Sequence, residues 1–448
     1  MDLTKLNIAA PRYTSYPTVP FWENNLNQEI WKQKLKEAGE TIASEGISLY
    51  IHLPYCESLC TYCACNTRIT VNHAVEEGYV NSLLKEWDLY KKALGVKPIL
   101  KEIHLGGGTP TFFAPKNLEK LLSSILSSST VHKNFDFSFE GHPSNTSPEH
   151  LETLYKLGFR RVSFGVQDFD EKVQDAINRY QSLEEVETVM TTARKTGYAS
   201  VNVDLVYGLP YQTETSVKDT LERVIQLKPE RIAFYSYAHV PWLKPGQRKY
   251  SEKDLPVDEV KRRLYEMGRE LFLKAGYEDV GMDHFALPSD DLLLAAKNKH
   301  LHRNFMGYTA QHTKLLIALG ASSISDTWDA FAQNIKLVED YQKKVDEGVF
   351  PLMHGHLLTE EDLLIRAHIL DLMCRYETTF SKEAKWQEHY AQISNRLTVF
   401  YSKGWLEKRG DTICVTDLGK NHLRNIGLGF DQRYWNKIPE KQVFSTTA

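Results

Sequence analysis

From about residue 47 the chain alternates short runs rich in β-branched and aromatic residues with longer segments whose apolar positions recur at three and four. The runs ISLYIHL (47–53), KEIHLG (101–106), DFSFEG (136–141), RVSFGV (161–166), SVNVDLVYG (200–208) and RIAFYSY (231–237) predict six strands. Between them EEGYVNSLLKEWDLYKKAL, LEKLLSSIL, SPEHLETLYKLG and SLEEVETVMTTARKTG predict helices, and a further helix is expected over 259–276. YEDVGM then starts another short extended segment. Such alternation is the signature of βα units on a parallel sheet, either open and doubly wound or curled into a partial barrel. In both, functional loops gather at the carboxyl ends of the strands.

Beyond about residue 350 the pattern becomes helical, in TEEDLLIRAHILDLMCRY and KWQEHYAQISNRLTVFYSKG. WLEKRGDTICVTDLGKNHLRNIG then predicts a hairpin around Arg409-Gly410 and a closing helix, a winged-helix-like arrangement. No basic stripe accompanies it, so a packing or lid domain is expected rather than a nucleic-acid reader. The 448 residues are 42% hydrophobic and 25% charged, a globular balance, and the formal charge of −4 offers no footprint for nucleic acid or an anionic membrane. There is no membrane-length apolar run and no secretory-type leader, which leads to the expectation of a cytoplasmic protein.

Composition gains a chemical edge at YIHLPYCESLCTYCACNT, where four of six cysteines, Cys56, Cys60, Cys63 and Cys65, fall within ten positions. Crowding in one loop of a large chain favours metal or redox chemistry over a disulfide framework. Structural zinc uses paired cysteines or added histidines, and an ordinary electron-transfer cluster wants four thiolates at other spacings. Three thiolates on one short loop can hold three irons of a cubane cluster and leave the fourth open, against a competing zinc knob that would use Cys65. Glycines in LGGGTPT (105–111) let backbone approach a ligand, although a tight strand-to-helix turn needs the same residues. Cys374 and Cys414 stand alone and are expected to be inert and buried.

The spacing Cys56-x3-Cys60-x2-Cys63, with Tyr62 before the third cysteine, resembles the radical S-adenosylmethionine (SAM) superfamily motif. That resemblance implies an open iron that chelates SAM, whose sulfonium is cleaved by one electron to a 5′-deoxyadenosyl radical. PRYTSYPT, GGGTPT, GVQDF, NRYQ, DLVYGLP, YAHVP, GMDHFA and HRNFMGYT, in this order, further resemble the oxygen-independent coproporphyrinogen III oxidases. The Cys63-x-Cys65 ending and PRYTSYPT look like the oxidases rather than related haem-binding chaperones, which usually carry phenylalanine at the position of Cys65. The implied fold is α/β: a partial (β/α)6 barrel over 41–345, an N-terminal extension over 1–40 acting as a substrate lid, and a helical, winged-helix-like domain over 346–448.

The same resemblance implies one [4Fe-4S] cluster on Cys56, Cys60 and Cys63, and two SAM molecules. Tyr50, Gly107, Glu140 and Ile324 match positions around the cluster-bound SAM; Tyr62, Gly108, Thr109, Gln167, Arg179, Asp204 and Ala238 match those around the second. An acid such as Asp204 suits ribose hydroxyls or an amino group, and Arg179 offers a fork for a carboxylate. The plainer alternative is that Glu140, Asp204 and Gln167 cap helices. The implied reaction turns two propionates of coproporphyrinogen III into vinyl groups, with a low-potential protein as electron donor, a monomeric chain, no nucleic acid and no membrane. No side chain is assigned an acid–base role. Arg12 and Arg303 are candidates for the propionates, with Tyr13, Tyr16 and Phe21 as an aromatic lid or as barrel packing. Two departures put family substrate contacts in doubt: Glu140 is followed by Gly141-His142-Pro143-Ser144, where the family commonly has an Asp-Pro-Arg run, and the tail Phe444-Ser445-Thr446 lacks an arginine.

Overall fold

The computed structural model describes residues 2–5, 8–42 and 45–446. Its main sheet contains strands β1 (Ile47–Leu53), β2 (Ile99–Gly107), β3 (Thr130–Gly141), β4 (Arg161–Gln167), β5 (Ser200–Tyr207) and β6 (Arg231–Ser236). Then follow β7 (Glu278–Gly281), β8 (His284–Ala286), β9 (Leu316–Leu319), β10 (Ile324–Asp326), β11 (Ala330–Asn334) and β12 (Leu352–Leu357). They pair in the order β12-β11-β10-β9-β1-β2-β3-β4-β5-β6-β8-β7, so the sheet curls without closing.

The first six strands are parallel neighbours in sequence order, as predicted. A seventh parallel strand, β9, joins the free edge of β1. Antiparallel additions extend the sheet at both ends. The sheet therefore runs past residue 345: β12 lies beyond the expected boundary and yet pairs with β11.

Local chemistry sets these elements. The helix Leu183–Thr196 is opened by a capping box from Ser182 and Glu185 and closed by Gly197 at φ 114°. Strand β4 alternates: Val162, Phe164 and Val166 are fully buried, whereas Ser163, Gly165 and Gln167 are only half-buried. The polar members face the barrel interior, where the Ser163 hydroxyl donates to Asp204 at 3.0 Å. At the amino ends of the strands, the half-buried ion pair Arg161–Asp136 (2.8 Å) and the buried pair Arg231–Asp290 (2.7 Å) sit in the lower barrel.

A second core lies outside the barrel. Leu3, Ile8, Tyr13 and Tyr16 from the N-terminal segment pack with Ile369, Leu397, Ile426 and Phe430 from the C-terminal helices. The N-terminal segment is thus partner to the C-terminal domain rather than an aromatic lid. Tyr13 and Tyr16 are 1% and 2% exposed, the Tyr13 hydroxyl donates to Asp431 at 3.1 Å, and Phe21 meets Tyr434 and Phe444. In the C-terminal domain Leu406–Arg409 and Thr412–Val415 form the expected hairpin, with Glu377–Thr379 as a third strand. Cys374 and Cys414 are buried there, and burial pushes the Cys374 thiol up to about 12.

Candidate active site

The carboxyl ends of β1 to β6 converge on one cavity of about 510 Å³, within the range of small-molecule sites. Cys56, Cys60, Tyr62, Cys63 and Cys65 form one wall, Gly107, Gly108, Thr109 and Glu140 another, and Gln167, Arg179 and Asp204 a third. Tyr50, Ala238 and Ile324 stand just outside this lining. Tyr50 packs on His104 and reaches the His52 ring at 3.1 Å. Ala238 follows β6, and Ile324 opens β10 beside the end of β9.

The cysteine loop is locked to its surroundings at several points. The Thr61 amide and hydroxyl bond the carbonyls of Ile177 and Ala176 at 2.9 and 2.8 Å, while Gly108 and Thr109 amides donate to Leu53 and Tyr55 at 2.8 and 3.0 Å. A Cβ on Gly108 would lie 2.6 Å from Pro54 backbone, and one on Gly107 2.6 Å from the His52 ring. The glycine run is thus needed, at minimum, to seat the β2 turn against the exit of β1.

Each of the three motif sulfurs has a polar neighbour. Thr109 Oγ1 is 3.3 Å from Cys56 Sγ, an Arg179 guanidinium N–H points at Cys60 Sγ over 3.8 Å, and the Cys65 amide donates to Cys63 Sγ at 3.4 Å. Burial pushes the Cys56 thiol up to about 11 and also raises that of Cys60, while hydrogen bonding from Cys65 lowers that of Cys63. All three are free cysteines, and Cys65 is the exposed one of the four. Among the described residues no three Cys, His, Asp or Glu side chains converge on a point that would suit a single ion. A four-iron cluster is bound by thiolates spread around a cube, and its sulfurs want the hydrogen-bond donors found here. The buried Arg179 Nε has no partner, and this guanidinium faces the cavity, so a charged acceptor is missing from its shell. The residues therefore fit an iron–sulfur cluster with an anionic ligand beside it.

Two carboxylates are tuned apart. Burial favours the neutral form of Glu140, but His104 at 3.5 Å and the Gly107 amide at 3.3 Å outweigh it and hold the carboxyl below its usual range. Asp204 is pushed up to about 7, by burial first and then by the charge of Glu140. One acid is an anion at neutral pH and the other titrates there, which gives acceptor and donor capacity side by side. His142, where the family pattern is broken, lines the same cavity and is held neutral, down to about 3, by burial and by Arg179.

Arg12 and Arg303 are placed elsewhere. Arg12 pairs with Asp283 at 2.7 Å, donates to the Ser236 carbonyl at 2.9 Å, and lines a separate cavity with Arg424, Tyr265 and His422. Arg303 donates to the Arg12 carbonyl at 3.1 Å and lies 4.4 Å over the Tyr308 ring. Sequence reasoning passed over Gln247, which is fully buried and bonds the Tyr62 carbonyl at 3.0 Å. A lone glutamine in KPGQRKY carries no periodic or motif signal.

Residues 50–224 match the radical SAM superfamily. An oxygen-independent coproporphyrinogen III oxidase from a Synechocystis species is 36% identical over 99% of this chain and 96% of its own length. The enzyme of the same name from Escherichia coli K12 is 34% identical over 99% and 97%. A solved structure of the E. coli coproporphyrinogen III oxidase, described as a radical SAM enzyme, superposes with a TM-score of 0.88 at 34% identity, covering 94% of this chain and 97% of that one. With a three-cysteine loop at the end of the first strand of a partial barrel and such likeness along nearly its whole length, this chain belongs to the oxygen-independent coproporphyrinogen III oxidase family of radical SAM enzymes.

Proposed function

We propose that the chain catalyses oxidative decarboxylation of two propionate side chains of coproporphyrinogen III to vinyl groups, giving protoporphyrinogen IX without oxygen. The observation that carries this reading is the convergence of three free cysteines, a guanidinium whose Nε has no partner and two unlike carboxylates on one cavity, in a chain that matches named oxidases over 99% of its length. Per propionate the substrate loses a hydrogen atom from an unactivated carbon, then carbon dioxide and one electron. A reduced [4Fe-4S] cluster with SAM supplies, when bound, the hydrogen-abstracting chemistry that no side chain can provide.

The chain's own residues do the holding. Cys56, Cys60 and Cys63 are the cluster ligands in this reading, with Thr109, Arg179 and the Cys65 amide tuning their sulfurs. Glu140, ionised, accepts from an amino group near Tyr50, Gly107 and Ile324. Arg179 offers its free Nε–H to a methionine carboxylate, and Asp204 accepts from hydroxyls, with Tyr62, Gly108, Thr109, Gln167 and Ala238 completing a second SAM position. Two SAM molecules in one site are supported by the two unlike acids and by the spread of polar groups over three walls. Of the propionate candidates, Arg303 is the better, because Arg12 is already neutralised by Asp283. We place the protein in the cytoplasm as a monomer served by a low-potential donor protein, with the N-terminal segment and the C-terminal helices of the second core acting together as one clamp on the barrel. No nucleic acid enters this reading, and no described helix is long and apolar enough to cross a membrane. No observation favours a haem-delivery chaperone on the same scaffold.

Anaerobic reconstitution with iron and sulfide, followed by SAM, coproporphyrinogen III and a strong reductant, tests the proposal. Protoporphyrinogen is the expected product. Methionine and 5′-deoxyadenosine without decarboxylation would point to another substrate.

A further inference from the structure

The segment after β6, residues 238–250, crosses the outer side of the cysteine loop like a strap. Its centre is Gln247, which has no exposed surface. Gln247 Nε2 donates to the Tyr62 carbonyl at 3.0 Å and to the Ala238 carbonyl at 3.1 Å, and Oε1 accepts from the Val240 amide at 2.6 Å. Lys244 adds a second tie, donating to the Cys65 carbonyl at 3.0 Å. The strap is anchored at its ends by Tyr237 and Tyr250, whose hydroxyls meet at 2.8 Å, and by Lys249, which bonds the Asp175 carbonyl at 2.6 Å. A Cβ on Gly246 would make only an ordinary contact with the Leu59 side chain, at 3.4 Å.

A primary amide has two donor hydrogens and an acceptor in one plane. Here all three functions are used, on backbone groups from two separate loops. Tyr62 sits between Cys60 and Cys63, and Ala238 is one of the positions assigned above to the second SAM. A buried bridge of this kind ties the separation of those loops to one rigid plane, because breaking it strands carbonyls away from water.

We infer that Gln247 is a positioning residue that couples the cysteine loop to the Ala238 loop, so that a ligand held at one is felt at the other. This rests on reading the cavity as the cluster and SAM site. It assigns Gln247 no contact with substrate, and it gives the strap a role that a mere surface loop would not have.

The test compares reconstituted wild-type chain with Gln247→Glu, which keeps the size but replaces both N–H donors by an oxygen facing two carbonyls. Three quantities are read: iron content, the SAM-induced change in the spectrum of the reduced cluster, and amide hydrogen exchange. Iron content is expected to be kept. The SAM titration should shift to about tenfold higher concentration, and exchange should rise together in 60–66 and 237–241. An unshifted titration, or faster exchange confined to 245–250, overturns the inference. If Gln247→Glu does not fold, wild type answers instead: SAM should protect 60–66 and 237–241 in step, and protection of one segment alone overturns the coupling. Wild-type chain that takes up no iron, or ignores SAM, overturns the reading of the site itself and is distinguishable from both.

Discussion

Two buried arginines in two cavities look alike in sequence and behave as opposites in the structure. Arg424 spends its guanidinium on the carbonyls of Ala10, Pro11, Ser445 and Thr446, all of them backbone groups near the chain's two ends. Arg179 bonds the Gly165 carbonyl at 2.5 Å, faces the Cys60 sulfur, and keeps Nε without a partner. The first is a finished fastening; the second is an unfinished site. Unmet hydrogen-bonding capacity, rather than charge or depth, separates these two arginines.

This contrast can be broken in four ways, from the largest effect to the smallest. Cys60→Ser should abolish cluster assembly and with it all turnover, read as iron per chain and as 5′-deoxyadenosine formed. Arg424→Met should leave four carbonyls without their donor and lower stability by roughly 3 kcal/mol in denaturant titration, while the SAM concentration giving half-maximal response stays at the wild-type value. Arg179→Met should do the converse, raising that concentration by about a hundredfold through loss of a charge-assisted bond, with stability lowered by only about 1 kcal/mol.

Asp204→Asn gives the smallest effect and a signed pH dependence. A carboxyl whose folded value is raised to about 7 contributes stability at low pH that is lost as pH rises through that value. The iron-free variant should therefore gain on wild type between pH 4 and 7 and level off above, by about 1 kcal/mol at pH 8 once solvent in the cavity is allowed for. Thermal midpoints at pH 5 and pH 8 check this, and a difference independent of pH would remove the buried-acid reading. The same change should weaken SAM binding, an exchange of stability for function.

The sequence was most readable where burial is one-sided and long. Runs such as RVSFGV and SVNVDLVYG place apolar residues against outer helices, and six parallel strands follow from them within a residue or two, β3 apart, whose start at Thr130 is six residues earlier. It was least readable where strands are short. β9 has four residues and β10 three, with Gly320 between them at φ 101°, and β12 begins among half-buried Leu352, Met353 and His354. Such segments are strands because a neighbour's edge recruits them, a tertiary cause with little local trace. The cysteine spacing and the residues matched to the family fall around one cavity, since motif positions at strand ends inherit the geometry of the sheet. Arg12 and Arg303 lie in matched segments of the sequence, but that placement does not contain the direction of their side chains, which reach Asp283 and the Arg12 carbonyl. Tyr13 and Tyr16 likewise found a partner in helices that lie four hundred positions further along.

Ala9 pairs with Thr446 in an antiparallel bridge, and the second core joins Leu3, Ile8, Tyr13 and Tyr16 to residues more than 350 positions further along, such as Ile369 and Phe430. During synthesis Tyr13 and Tyr16 therefore lack these packing partners until residues 423–434 have been made. The barrel can be complete long before that moment.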